Sequence, residues 1–297
     1  MTSSELSVVI PSVNSLDDLR TSLGALRRQQ GASLEIIVVD RLGPEVREAL
    51  AREFPEAIVI ATPSDATIPE MRAIGFDRAS AEAVAVIEDH VVVPPDWAMK
   101  LLAALDAGAD VAGGPIENAA TEKQVDWAAF LCEYSACLPP LAGGESTWLP
   151  GNNIVYRRAL LEKYKPVIAE GKWENNLHDA MRADGVKLIM LPDLIAGHKM
   201  HYTFNLYMSQ RYLYARSYAG ARVVEKPAPV RVAYGFAAFA LPPLMFYRTL
   251  SRILAKGRHI DKLWPSIPML FAFVMSWGAG EVVGYWFGAG NSLSKVR

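Results

Sequence analysis

Cysteine is scarce in this chain of 297 residues, which holds only Cys132 and Cys137. Two residues cannot build a disulfide framework, and no further Cys or His pair stands at zinc-ligand spacing from them, so both read as buried reduced thiols. An excess of one charge is also lacking, with 30 basic against 32 acidic residues. A general nucleic-acid binder usually carries a strong basic excess, so no nucleic-acid partner is expected. The N-terminus, MTSSELSVVIPS, has no basic stretch ahead of a long apolar one. No secretory signal is therefore expected, and the N-terminal part should stay in the cytoplasm. Neither a GxGxxG after the first strand nor a GxxxxGKS/T occurs, which excludes a dinucleotide fingerprint and a phosphate loop. The diphosphate of a bound nucleotide would need another counter-charge, usually a divalent metal held by carboxylates.

Long apolar runs are missing from the first three quarters and present in the last. Residues 232–247, VAYGFAAFALPPLMFY, are short for a full span and are interrupted by Pro242 and Pro243. Residues 267–288 are long enough to cross a bilayer, with Glu281 as their only charge. The sequence thus predicts a domain over 1–225 and a helical membrane-associated region over 226–297. Between the runs lies RTLSRILAKGRHIDKL, basic and suited to the anionic cytoplasmic face of a membrane. A plain hairpin would carry this loop to the far side, against the positive-inside tendency, and a broken or re-entrant first run would resolve the conflict. Gly280, Gly284 and Gly288 recur every four residues, a face for close helix contact either within the chain or in a homo-oligomer. Glu281 is costly in lipid and should face protein or a polar cavity.

The first 220 residues alternate short β-branched runs with helical patterns. LSVVIPSV and LEIIVVD, Leu6 to Val13 and Leu34 to Asp40, flank a segment with Leu16, Leu19, Leu23 and Leu26 at helical spacing and Ser15 as N-cap. Helices over GPEVREALAREF and Pro69 to Ala79 and strands AIVIA and AVAVI continue the pattern. Such alternation predicts an α/β fold with a mainly parallel sheet, whose ligands bind beyond the carboxyl ends of the strands. Asp40 and the trio Glu88, Asp89 and His90 stand at such ends.

SVVIPSVN (Ser7 to Asn14) and EIIVVDRLG (Glu35 to Gly43) resemble the opening segments of the family 2 glycosyltransferases, and MRAIG (Met71 to Gly75) partly echoes their ARNxG helix start. VIEDH aligns with the family's FLDDD, LPGNNIVYRRALLE with its GGN segment, and WENNLHDAMRADG with the helix that carries the general base. The resemblance covers roughly the first 220 residues and implies the GT-A fold, which binds a nucleotide-sugar, with an EDH variant of the usual DxD metal motif.

By this resemblance Asp40 reads the base, and Pro11, Asn14, Arg72, Glu88, Asp89, Asn152 and Asn153 belong to the nucleotide-sugar site, with a UDP-sugar first among the donors. Asp89, His90 and His198 would hold the metal. An imidazole in place of a carboxylate moves the expected preference from Mg2+ toward Mn2+. Glu174 falls where the family keeps its catalytic Asp, with Asp179 as the competitor and His201 a less well placed neighbour of His198. Gln210, Arg211, Tyr214 and Arg216 are assigned to the acceptor or diphosphate side, with an interfacial helix as the alternative. Together these readings describe an inverting glycosyltransferase at the cell inner membrane, its catalytic domain cytoplasmic and its acceptor a lipid or cell-envelope glycan. The competing reading is a non-catalytic relative that binds nucleotide and serves as a membrane scaffold.

Overall fold

The computed structural model describes residues 4–296. The chain divides into two compact units, one of residues up to Ala119 with Cys137–Lys199, the other of Ala120–Ala136 with residues from Met200 onward. This division differs from a boundary at residue 225, because a helix from the middle of the chain and the helix after Met200 both group with the C-terminal helices.

In the first unit β1 (Leu6–Ser12), α1 (Leu16–Arg27), β2 (Leu34–Asp40), α2 (Pro44–Glu53), β3 (Ile58–Ala61), α3 (Ile68–Arg78) and β4 (Ala83–Ile87) alternate as the residue pattern predicts. β1 pairs in parallel with β2 and β4, and β2 with β3. All of β1 and β4 is buried, as expected for parallel strands covered on both faces. Ser15 caps α1 by accepting from the Asp18 amide, while Thr67 and Glu70 close a capping box on α3. Each cap is worth about 1 kcal/mol. A Cβ at Gly75 would lie 2.2 Å from Val9, so α3 packs on β1 at a distance only glycine allows.

β5 (Val91–Val92), α4 (Trp97–Asp106), β6 (Val111–Gly113) and β7 (Ile116–Asn118) come next. The chain then makes α5 (Gln124–Tyr134), which belongs to the second unit. It returns as β8 (Gly144–Ser146), β9 (Asn153–Arg157), α6 (Arg158–Lys163), α7 (Lys165–Ile168), α8 (Glu174–Ala183), β10 (Leu188–Met190) and β11 (Ala196–His198). The main sheet has the order β3-β2-β1-β4-β9-β6-β10-β8. β9 runs antiparallel to β4 and β6, and β8 antiparallel to β10; the remaining pairings are parallel. A small sheet, β5-β11-β7, pairs His198 with Val91, the residue after His90.

The second unit contains α5 with α9 (Phe204–Arg222), α10 (Ala228–Ala237), α11 (Leu241–Lys256) and α12 (Ile260–Phe287). A 3-10 turn, Ala238–Ala240, joins α10 to α11, so Pro242 and Pro243 sit in the first turn of α11, where a missing N–H costs little. The segments Ala228–Lys256 and Ile260–Phe287 are each long and apolar enough to cross a membrane. α9 lies along the second half of α12. A Cβ at Gly280 would meet the Tyr212 carbonyl oxygen at 2.4 Å, and one at Gly284 the Arg216 carbonyl oxygen at 2.6 Å. The glycine face weighed above as a homo-oligomer contact is thus filled by α9 of the same chain, while Gly288, at φ 82, ends the helix. Glu281 is buried and faces protein, with the Trp277 indole donating to it at 3.1 Å.

Candidate functional site

The strand ends of the first unit gather Glu88, His90 and His198 into one buried cluster. One ligand-type atom from each lies within 4.8 Å of the other two. His90 Nε2 stands 2.8 Å from His198 Nε2 and 3.4 Å from Glu88 Oε2. Asn152 donates to the same Glu88 oxygen at 2.8 Å.

Asp89 is not part of this cluster and so differs from its expected role as a metal ligand. Its Oδ2 accepts from the amides of Val13 and Asn14 at 2.7 and 2.8 Å, and its Oδ1 accepts from the Asn14 side chain at 2.8 Å. The same Oδ1 lies 2.9 Å from His90 Nδ1. Asp89 thereby ties β1 to β4 and turns His90 so that Nε2 faces His198. A carboxylate on the far nitrogen of a ligating imidazole is the usual arrangement in metal sites.

Burial opposes a charge on His90, but hydrogen bonds to Asp89 and Glu88 outweigh it and hold this imidazole well above its ordinary pKa. His198 moves downward, through burial and through the charge of His90. Burial also works against the Glu88 carboxylate, yet His90, His198 and Arg72 bring it down to about 2. Two imidazoles and a carboxylate are a donor set of the kind that holds a divalent cation. The 2.8 Å between the facing nitrogens is close to the roughly 3 Å between adjacent ligands of an octahedral ion.

Arg72, buried on α3, joins this cluster to Glu174. Its Nη1 donates to Glu174 Oε2 at 2.6 Å and its Nη2 lies 3.9 Å from Glu88 Oε1. Glu174 is the first residue of α8, and Gly151 makes room for it: a Cβ there would lie 2.4 Å from the Glu174 carboxyl carbon. Arg72, Tyr156, Trp173 and Glu174 line a cavity of about 30 Å3, room for one water and too small for a sugar. Asp179 points to solvent, 74% exposed, and pairs only loosely with Arg182 at 3.7 Å. Of the two acids on α8, only Glu174 meets the cluster.

Three other expectations meet a different geometry. Asp40 is fully buried, and its oxygens accept from Ser12, Arg47 and the amides of Leu42 and Gly43. It closes the turn after β2, and Arg47 covers the carboxylate that was expected to read the base. Asn153 turns into the core. Its amide donates to the carbonyls of Pro115 and Leu194 and accepts from Trp97, which leaves nothing for a sugar. Pro11 lies buried within β1.

Gln210, Arg211, Tyr214 and Arg216 belong to α9 in the helical unit. Gln210 donates to the Lys295 carbonyl at 3.4 Å, and the Arg211 guanidinium stacks 4.1 Å over Trp277. Arg216 donates to the Gly288 carbonyl at 3.1 Å, and Tyr214 is half-buried. Three of the four thus hold helices together. His201 also lies in this unit, with Nδ1 2.9 Å from the buried Asp126. Residue patterns missed Arg72 as the link between two acids and Tyr156 as the hydrogen-bond partner of His178, at 2.7 Å. No local signal joins residues so far apart in sequence.

The sheet order, the acids and histidines at its strand ends and the carboxylate on α8 define a GT-A-like nucleotide-sugar transferase fold. A profile of Glycosyl transferase family 2 matches residues 7–164, more than half of the chain, and the chain belongs to that family. A dolichol-phosphate mannosyltransferase of Pyrococcus furiosus is 28% identical over 126 residues, which cover 38% of this chain and 36% of that protein. The chain therefore spans about a third of the length of this curated relative. Crystal structures of S. aureus TarS 1-349 share the fold at 15% identity and a TM-score of 0.51, covering 75% of this chain and 66% of that one. A complex of the same TarS fragment with UDP-GlcNAc matches with a TM-score of 0.51 at 14% identity, over 75% of this chain and 68% of the other.

Proposed function

We propose that the protein is a membrane-attached, inverting glycosyltransferase that moves a sugar from a nucleotide-diphospho-sugar, with UDP-sugars the first candidates, to a lipid or cell-envelope glycan acceptor. The observation that carries this reading is the pairing of two groups through Arg72: a cluster fit for a cation at the strand ends, and a carboxylate at the start of α8.

Glu174 takes the proton of an acceptor hydroxyl as that oxygen attacks the anomeric carbon and the bond to the diphosphate breaks. Attack opposite the leaving group inverts the configuration. Arg72 engages Oε2 and fixes the rotamer of Glu174, so the group is in place before the acceptor arrives. Glu88, His90 and His198 would hold a divalent cation, Mn2+ ahead of Mg2+, which supplies positive charge to the departing diphosphate. Asn14 and Asp89 fix the imidazole of His90 from behind. The apolar helices attach the enzyme to the inner membrane with the first unit in the cytoplasm, where nucleotide-sugars are at hand.

The test is nucleotide release from a panel of UDP-, GDP- and dTDP-sugars with Mn2+ or Mg2+ and membrane lipid extract. Transfer by the wild type, lost in Glu174→Gln and His90→Ala, supports the reading. No turnover with any donor, or unchanged turnover in both variants, removes it in favour of a nucleotide-binding scaffold.

A further inference from the structure

The chain passes into and out of the helical unit at three places, Ala120 before α5, Ala136 after it and Met200 before α9. The turn between α11 and α12 lies against α5, at the end of the unit that Ala120 and Ala136 flank. Lys256 Nζ donates to the carbonyls of Ser135 and Ala136 at 3.1 and 2.9 Å. Gln124 donates to the Lys262 carbonyl at 3.1 Å and to Ser266 at 2.6 Å, and the His259 ring lies 4.7 Å from that of Trp127.

α9 then runs away from this end. Phe204 at its start meets Phe273 in the middle of α12, and Arg216 reaches the carbonyl of Gly288 beyond the end of α12. α10 begins at the far end, where Arg231 donates to the carbonyls of Tyr285 and Trp286. α11 brings the chain back, with Phe246 beside Phe271. The basic turn is therefore reached after one pass outward and one pass back. Counting the two apolar runs alone misses the outward pass, because α9 hides Gln210 and Arg211 inside the bundle and does not look like a membrane segment.

Arg258 is exposed in the turn, and Arg252 and Arg248 are exposed on α11 about one and two helical turns before its end. From Val232 to Tyr247 the chain carries no charge, and Tyr234, Phe236, Phe239 and Leu244 are exposed along it. We infer that the α11–α12 turn lies on the membrane face from which the chain enters the helical unit, these arginines among the headgroups of an anionic phospholipid leaflet. Charge selects this occupant: each arginine near such a surface strengthens the attraction about fivefold.

The inference rests on the membrane attachment proposed above. The full chain in a Cys137→Ser background, with a single probe at Glu122→Cys near the entry or at Arg252→Cys just before the turn, is treated with an impermeant maleimide in sealed vesicles of either orientation. Both probes should be labelled from the same face, with loss of labelling when the reagent is confined to the other. Labelling of Arg252→Cys only from the face opposite Glu122→Cys overturns the inference and leaves the attachment standing. Release of the chain by a carbonate wash overturns both. For the lipid contact, a nitroxide at Arg252→Cys is read in phosphatidylcholine–phosphatidylglycerol proteoliposomes carrying headgroup-chelated nickel. Enhanced relaxation supports the contact and unchanged relaxation removes it.

Discussion

Glu174 rests directly against Gly151, at a distance that a single added methyl group would close to 2.4 Å from the carboxyl carbon. The atom in the way is the mobile end of a side chain and not backbone, so Gly151→Ala should fold normally and displace the carboxylate instead. A shift of this size should lower kcat about 10- to 100-fold with little change in the donor KM. Glu174→Gln, which leaves the position and removes the base, should lower kcat about 100- to 10,000-fold. Steady-state kinetics with a hydroxyl acceptor measures both; full activity of Glu174→Gln would mean that the acceptor oxygen needs no base.

Asp89 offers a test of the cation cluster without touching its ligands. Asp89→Asn should weaken Mn2+ binding about 10- to 100-fold, through loss of the group that orients His90. His198→Ala should weaken it further. Calorimetric titration of the purified protein with MnCl2 and MgCl2 reads both affinities, and equal affinity of wild type and His198→Ala for Mn2+ would place the cation elsewhere.

Acid should destabilise the fold through His178. Burial, with a smaller contribution from Arg72, lowers its pKa to about 4 from an ordinary 6.5. The unfolded chain therefore binds the proton more readily, and stability is complete above pH 6.5 and falls as pH drops toward 4. The loss amounts to about 3 kcal/mol at most. Thermal unfolding of wild type and His178→Asn between pH 7.5 and 4.5 checks this. The variant should start less stable, having lost the bond with Tyr156, and show a flatter slope.

At the helical interface, Gly284→Val should cost about 1–3 kcal/mol, because the added side chain meets the Arg216 carbonyl of α9. Thermal unfolding in detergent should show the loss, while light scattering should show the same oligomeric state as wild type. A change of oligomeric state with unchanged stability would mean that the stripe faces a second copy.

Much of the first unit was legible because short β-branched runs and capped helices are local signals: β1 to β4 and α1 to α3 stand within a residue or two of where the pattern puts them. The strand-end trio was legible as a candidate site, but its division of labour was not. Glu88 and His90 are two apart and turn to one side, whereas Asp89 turns to the other and reaches β1. An i, i+2 reading of EDH would have chosen Glu88 over Asp89. Asp40 shows the opposite failure: the motif was found, but its cover depends on Arg47 seven residues on. The pairing of α5 with α12 joins segments more than a hundred residues apart, and nothing local in either announces the other.

α5 leaves and re-enters the first unit between two points that are themselves tied, since the Ile116 amide donates to the Cys137 carbonyl at 3.1 Å. For recombinant work this decides where to cut. Ending the chain at residue 199 or 225 would strip α12 from α5, with Lys262 lost from over the Trp127 ring and Ser266 from Gln124, and open a largely buried apolar helix to water, a recipe for aggregation during expression. A soluble core calls for two excisions, residues 120–136 replaced by a short polar linker as well as everything after Lys199.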